Sequence, residues 1–280
     1  MNKETMMKTL YLILLIAFPA IAFAADEPAK KAAGEKETMT VDQIVEKANI
    51  ASYYLGKNGR AKTKMTITDN QGRNREREFT ILRQDEKDGG DQKFYVYFEK
   101  PADVRRMVFL VWKHPNKDDD RWLYMPSLDL VKRIAAGDKR TSFAGSDFFY
   151  EDVSGRSPEE DEHKLIETTD AFYVLDNTPK DAGNVEFSHY KMYVEKARGT
   201  FLPLKVIFYD KNGDEHRIIE ALKVDTVQGN PTVTKSRVKN VKTGSATVNV
   251  ISDVEYDVDG ITDDIFAERY LKKMPSAIRY

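Results

Sequence analysis

From Arg60 onward the chain alternates apolar and polar residues with a period of two, and turn residues interrupt that alternation at short intervals. The punctuation is Asp69-Asn70-Gln71-Gly72, Asp88-Gly89-Gly90, Asp181-Ala182-Gly183-Asn184, Lys211-Asn212-Gly213-Asp214 and Gln228-Gly229-Asn230-Pro231. A period of two places alternate side chains on opposite faces of a strand, and Asn/Asp-Gly turns are hairpin connections. The pattern predicts strands at about 60–68, 73–83, 92–99, 106–113, 121–125, 129–135, 162–168, 171–177, 186–195, 201–209, 215–226, 232–240 and 246–257. A long antiparallel meander has one face to bury and edges to manage, so it must close, stack on a second sheet or curl over a helix.

A helix is available for that purpose. Thr40 followed by Gln43 spells a capping box, and Val41, Ile44, Val45, Ala48, Ala51 and Leu55 recur at helical spacing before Gly56. At the other end, Thr262-Asp263-Asp264 predicts the capped start of a short helix over Ile265–Leu271. A calcium loop would need regularly spaced oxygen ligands and a closing Glu, which this segment lacks.

The start of the chain has the order of a secretory signal peptide: Lys3 and Lys8, the apolar run Leu10 to Phe23, then Ala22-Phe23-Ala24. Cleavage after Ala24 is expected. The run is shorter than the roughly 20 residues that span a bilayer, and no later stretch is apolar enough to stop transfer, so the chain is not expected to be membrane-spanning. Residues 25–39, mostly Ala, Lys, Glu and Gly, form an expected disordered leader, and residues 40–280 a single β domain.

Composition narrows the chemistry. There is no cysteine, so thiol catalysis, thiolate metal sites, disulfides and a lipobox are excluded. Formal net charge is −2, and −3 once Lys3, Lys8 and Glu4 leave with the signal peptide, with both signs mixed along the chain. That balance predicts no nucleic-acid partner. His114, His163, His189 and His216 are scattered without metal-site spacing, and neither a metal nor a cofactor is expected.

The most informative stretch runs from Arg106 to Asp152. It contains Trp122-Leu123-Tyr124-Met125-Pro126, then Lys132-Arg133-Ile134, then Gly145-Ser146-Asp147-Phe148-Phe149-Tyr150-Glu151-Asp152. These three blocks, in this order, resemble the LolA-like "outer membrane lipoprotein-sorting protein" group. The likeness is specific over about residues 95–155 and extends in layout to the closing Gly260-Ile261-Thr262-Asp263-Asp264-Ile265-Phe266. It implies a mainly β fold, a curled antiparallel sheet forming an incomplete β-barrel covered by short α-helices. It also implies a periplasmic carrier of lipid or acylated lipoprotein cargo, working toward the outer membrane with an RND-type inner-membrane transporter, and no catalytic residues. Pro126, Arg133, Gly145, Ser146, Asp147, Tyr150 and Asp152 are the motif positions with expected structural roles.

The residues themselves point to a covered apolar face. Phe94, Val96 and Phe98 alternate on one strand, Phe109 and Val111 on the next, and Trp122 with Tyr124 on a third. Together with Phe148 they are the expected lining of an apolar cavity; a packed core gives the same alternation. Tyr53-Tyr54 and Phe148-Phe149-Tyr150 suit either a cavity mouth or ordinary packing. Ser146 lacks a Gly-x-Ser-x-Gly elbow, so a tight turn is expected around Ser146 and Asp147, with Glu151 and Asp152 pairing with Lys132 or Arg133. The alternative to a carrier is a periplasmic adaptor of the transporter that binds no lipid; a secreted hydrolase would need a nucleophile, base and oxyanion donors that these residues do not assemble.

Overall fold

The structure, a computed structural model, describes residues 39–279. The expected signal peptide and residues 25–38 of the expected leader lie outside the described residues. Helix α1 spans Val41–Tyr53. Strands β1 (Asn58–Thr68), β2 (Asn74–Asp85), β3 (Gln92–Lys100), β4 (Val108–Lys113), β5 (Asp120–Met125) and β6 (Leu130–Arg133) follow. After the short helix α2 (Tyr150–Ser154) come β7 (Asp161–Thr168), β8 (Phe172–Pro179), β9 (Phe187–Glu195), β10 (Pro203–Asp210), β11 (Glu215–Val227), β12 (Asn230–Asn240) and β13 (Ala246–Tyr256). All thirteen expected strands are present.

They form one antiparallel sheet in the order β6-β5-β4-β3-β2-β1-β13-β12-β11-β10-β9-β8-β7. Two meanders are therefore joined by a single non-local pairing, β1 with β13, and the sheet does not close. Register shifts in the β1–β13, β2–β3, β10–β11 and β11–β12 pairs are bulges of the kind that sharpen local twist and let a sheet curl. The open edges are β6 and β7, and the segment joining them, residues 134–160, has to cross from one edge to the other.

The crossing segment fills half of the inner face. Pairing of Val96 with Phe109, and of Phe109 with Leu123, sets Phe79, Val96, Phe98, Phe109 and Leu123 on that face. Phe143 enters among them, with ring centroids 5.6 Å from both Phe98 and Phe109, and the Tyr150 ring lies tilted 4.9 Å from Phe109. All of these are buried. The opposite face is covered as well. Leu82, Tyr95, Val108, Leu110, Trp122 and Tyr124 pack under the C-terminal strap through Ile261, Ile265, Phe266, Leu271 and Ile278. The Trp112 indole donates to the Phe266 carbonyl at 2.8 Å, and the Tyr95 hydroxyl to that of Tyr270 at 2.8 Å.

Two local expectations are resolved by this packing. The Thr40–Gln43 capping box is formed, with Gln43 N donating to Thr40 Oγ1 at 3.2 Å and Thr40 N to Gln43 Oε1 at 2.8 Å. The expected helix over 265–271 is not: the strap has separate 3₁₀ turns at Asp263–Phe266 and Glu268–Tyr270, broken by extended Ala267. Thr262 gives its hydroxyl to the Asp264 carboxylate instead of capping backbone amides. The break lets Phe266 and Leu271 both turn onto the sheet, which a continuous helix in that segment would give up for regularity.

Phe143 is the hub of the inner-face aromatic cluster, touching Phe79, Phe98, Phe109 and Tyr150, so Phe143→Ala should leave a cavity that these four rings cannot collapse into. A loss of about 3–5 kcal/mol is expected, read as a lower urea midpoint with an unchanged slope.

Candidate functional site

The inner face that the crossing segment leaves uncovered holds a cavity of about 490 Å³. It lies between α1, the α2 segment, the ends of β1–β3 and the inner faces of β8–β13. Helix α1 roofs it, burying Ile44 and Ala48 against Leu175 and Val194. Its floor is apolar: Met192, Val206, Ile219, Val233, Ile251 and Val254 line it, each only half-buried by the protein. Neighbouring strands bring these side chains together, as in the pairing of Val206 with Ile219. An apolar lining left half-uncovered inside a fold is the arrangement of a ligand pocket, whose volumes run from roughly 300 to 1,000 Å³.

Charge frames one end. Arg156 holds Asp161 with two hydrogen bonds of 2.8 and 2.9 Å and also reaches Glu160 at 2.7 Å and Glu151 at 3.4 Å. Burial works against the Arg156 cation, but the hydrogen bonds and charge of Asp161 outweigh it and hold its pKa above the ordinary value. The Tyr190 hydroxyl donates to Asp161 at 2.7 Å, and burial followed by that carboxylate pushes its pKa well up. Lys139 completes the group, 3.0 Å from Glu151 and 2.7 Å from Glu160. Every buried carboxylate here has a cationic partner, which is the condition for keeping such charges under a fold.

The Gly-Ser-Asp-Phe-Phe-Tyr-Glu-Asp block is the latch that holds the α2 segment over the cavity. Asp147 accepts from Ser245 Oγ at 2.5 Å and Thr247 Oγ1 at 2.7 Å, tying the segment to β13. Asp152 pairs with Arg217 of β11, whose guanidinium lies 4.2 Å from the Phe149 ring centre. Asp152 also accepts from the Phe149 amide at 2.6 Å. Ser146 donates to the Phe143 carbonyl at 2.6 Å and accepts from the Phe148 amide at 3.1 Å, the tight turn expected. The expected pairing of Glu151 and Asp152 with Lys132 or Arg133 is corrected: Arg133 pairs with Asp120 and stacks 5.5 Å over Trp122, on the far side of the sheet edge from the latch. His163 is held by Asn177 at 2.6 Å and the Pro158 carbonyl at 2.9 Å, so it is not a partner of Ser146.

At Gly155 the latch meets α1. Its φ is +78°, and a Cβ there would lie 2.4 Å from the Tyr53 ring, so no side chain fits. Beside it Lys113 is buried, donating to the Ser154 carbonyl at 2.7 Å and that of Gly155 at 3.3 Å, with Tyr53 ring 5.1 Å away. Burial lowers its pKa to about 8. Arg83 closes the helix end, donating to the Tyr53 and Gly56 carbonyls at 2.7 Å each.

Of the eight residues expected to line a cavity, Phe94 lines it. Val96, Phe98, Phe109 and Val111 share its face but are sealed in the cluster around Phe143, with Phe148 packed against that cluster. Trp122 and Tyr124 lie on the opposite face, because they pair with Leu110 and Val108. Pro126 opens a 3₁₀ turn, Pro126–Leu128, and Gly145 takes a φ of +75° in the latch turn. The floor residues of β9–β13 were not singled out in sequence; their signal is apolar residues in long hairpins that lack the aromatic density of β3–β5.

An open, curled antiparallel sheet around a helix-roofed apolar cavity is a LolA-like architecture: a LolA superfamily protein from Nitrosomonas europaea, 20% identical, matches with a TM-score of 0.62 over 83% of this chain and all of its own. A putative outer membrane lipoprotein-sorting protein domain from Vibrio parahaemolyticus is 26% identical, with a TM-score of 0.73 over 82% of this chain and 97% of its own. A DUF1329 family protein from Desulfovibrio piger is 30% identical over the same shares, also with a TM-score of 0.73. A family model described as "Uncharacterized protein" matches residues 90–273, and no curated protein matches. The chain belongs to the family of the Desulfovibrio protein, DUF1329, and its fold is LolA-like.

Lys113 gives a signed pH test. Between about 8 and its ordinary 10.5 the folded state has lost a proton that the unfolded chain still holds, so stability contributed at this residue rises with pH through that window. Urea curves of the native protein and Lys113→Met at about pH 7.5 and about pH 9.5 should therefore differ more in favour of the native protein at the higher pH.

Proposed function

We propose that the protein is a periplasmic carrier that takes the acyl chain of a lipid or lipoprotein into the cavity beneath α1 and moves it toward the outer membrane. The observation that carries this reading is the half-covered apolar floor of β9–β13 within a cavity of about 490 Å³. Burying a dozen or so methylenes there, at about 0.8 kcal/mol each, makes on the order of 10 kcal/mol available before the entropy of binding is charged. That is enough to hold an acyl chain through an aqueous compartment.

Phe94, with Met192, Val206, Ile219, Val233 and Ile251, is the proposed ligand-facing set. Phe109, Val111 and the aromatic cluster around Phe143 serve as the rigid bed beside it. The Leu10–Phe23 run and Ala22-Phe23-Ala24 support export by a signal peptide cleaved after Ala24. The lipoprotein-sorting description of the Vibrio relative supports acylated cargo. An RND-type transporter is the proposed source or recipient of that cargo.

The test is to fill the cavity. Val206→Trp and Ile219→Trp should each weaken uptake of a fluorescent fatty-acyl probe at least tenfold while leaving thermal stability nearly unchanged, since the added ring enters empty space. In a sealed core the same substitutions would overpack, costing about 1–3 kcal/mol. Unchanged probe uptake in both variants would remove acyl binding from this cavity and favour the adaptor reading.

A further inference from the structure

We propose that the turn Pro126–Leu128 and the edge strand β6 form a docking surface for an anionic phospholipid bilayer. Leu128 is 68% exposed, the largest value for a big apolar side chain among the described residues, and Leu130, two positions on, is 46% exposed. Single exposed leucines are ordinary on a protein surface. Two within three residues at one corner of the sheet, with lysines on both sides of that edge, are not. Lys272 of the C-terminal strap reaches across to Asp129, between the leucines, with Nζ 2.8 Å from Oδ1. Lys273 is exposed beside it, and Lys132 follows Leu130 on the same face of the edge strand. Asp129 is the one carboxylate between the leucines, so lysines outnumber it.

The bilayer is favoured over a protein partner by this chemistry. Apolar tips with a lysine rim match a membrane interface, where leucine side chains enter the acyl boundary and lysines snorkel to the phosphates. Each lysine near an anionic surface strengthens binding by about fivefold. The chain as a whole is net negative, so an anionic membrane repels it in other orientations and this cationic corner sets the approach. The surface lies outside the cavity, and the proposal stands without the carrier reading.

The test is sedimentation of protein recovered from the periplasmic fraction with vesicles of phosphatidylcholine containing phosphatidylglycerol, and with phosphatidylcholine alone. Binding should favour the anionic vesicles and fall with added salt. Leu128→Glu/Leu130→Glu should weaken it at least tenfold, and Lys132→Glu/Lys272→Glu by a similar factor. Ile219→Trp, in the cavity, should leave it unchanged, which separates docking from cargo uptake. Circular dichroism and the thermal midpoint should match the native protein in every surface variant. Failure of the native protein to sediment with either vesicle, or sedimentation undiminished in Leu128→Glu/Leu130→Glu, would overturn the proposal, and the former would assign the leucines to a protein contact.

Discussion

The pairing of β1 with β13 governs the rest of the structure. It brings together strands far apart in sequence, Thr63 opposite Ile251 and Lys64 opposite Val250, and so places the first and last strands in the middle of the sheet. The edges then fall to β6 and β7, which are neighbours in sequence. A chain with that order needs a connection that crosses the inner face, and residues 134–160 are that connection. The cavity is what the crossing leaves over: the β1–β5 half of the inner face is filled by Phe143 and Tyr150, while over the β9–β13 half α1 and the α2 segment leave a space unfilled.

Holding a segment across an open sheet requires directional bonds, because apolar packing by itself does not fix its position. The latch supplies them from both sides of the cavity: Asp147 to Ser245 and Thr247 on β13, Asp152 to Arg217 on β11, Arg156 to Asp161 at the start of β7. These groups are buried or nearly so, and removing one partner of such a pair leaves an uncompensated charge at a cost of about 3–5 kcal/mol. The acidic and serine residues of the motif that most resembles a catalytic turn are thus occupied in architecture. Lys113 of β4 bonds the same segment to the sheet, and at Gly155 the latch packs directly on the Tyr53 ring of α1, so roof and latch are in close contact.

Much of the fold was legible in the sequence because strand alternation and turn residues are local signals. The thirteen strands and the capped helix could be placed from Asn-Gly and Asp-Gly turns and from the Thr40–Gln43 box. What local signals do not carry is face. In β4, Val108 through Trp112 are all apolar, the mark of a strand covered on both sides, and only register decides that Phe109 and Val111 look inward while Val108 and Leu110 look outward. Trp122 and Tyr124 follow the outward set for the same reason. The aromatic richness of β3–β5 marks the half of the trough that the crossing segment seals. The open half is lined by Val206, Ile219 and Ile251, residues that look in sequence like any other half-buried strand. Long-range charge partners were equally out of reach: nothing local to Asp152 points to Arg217, 65 residues later.

Density of apolar residues therefore marks where this fold is packed, and incomplete covering marks where it can bind. The central claim, that the uncovered half receives an acyl chain, is tested most directly by native mass spectrometry of the protein isolated from the periplasm without detergent, followed by organic extraction and lipid analysis. The account predicts a mass above that of the processed chain and an extract containing phospholipid or an acylated peptide. A homogeneous mass equal to that of the polypeptide, in protein that also takes up no added lipid, would contradict it.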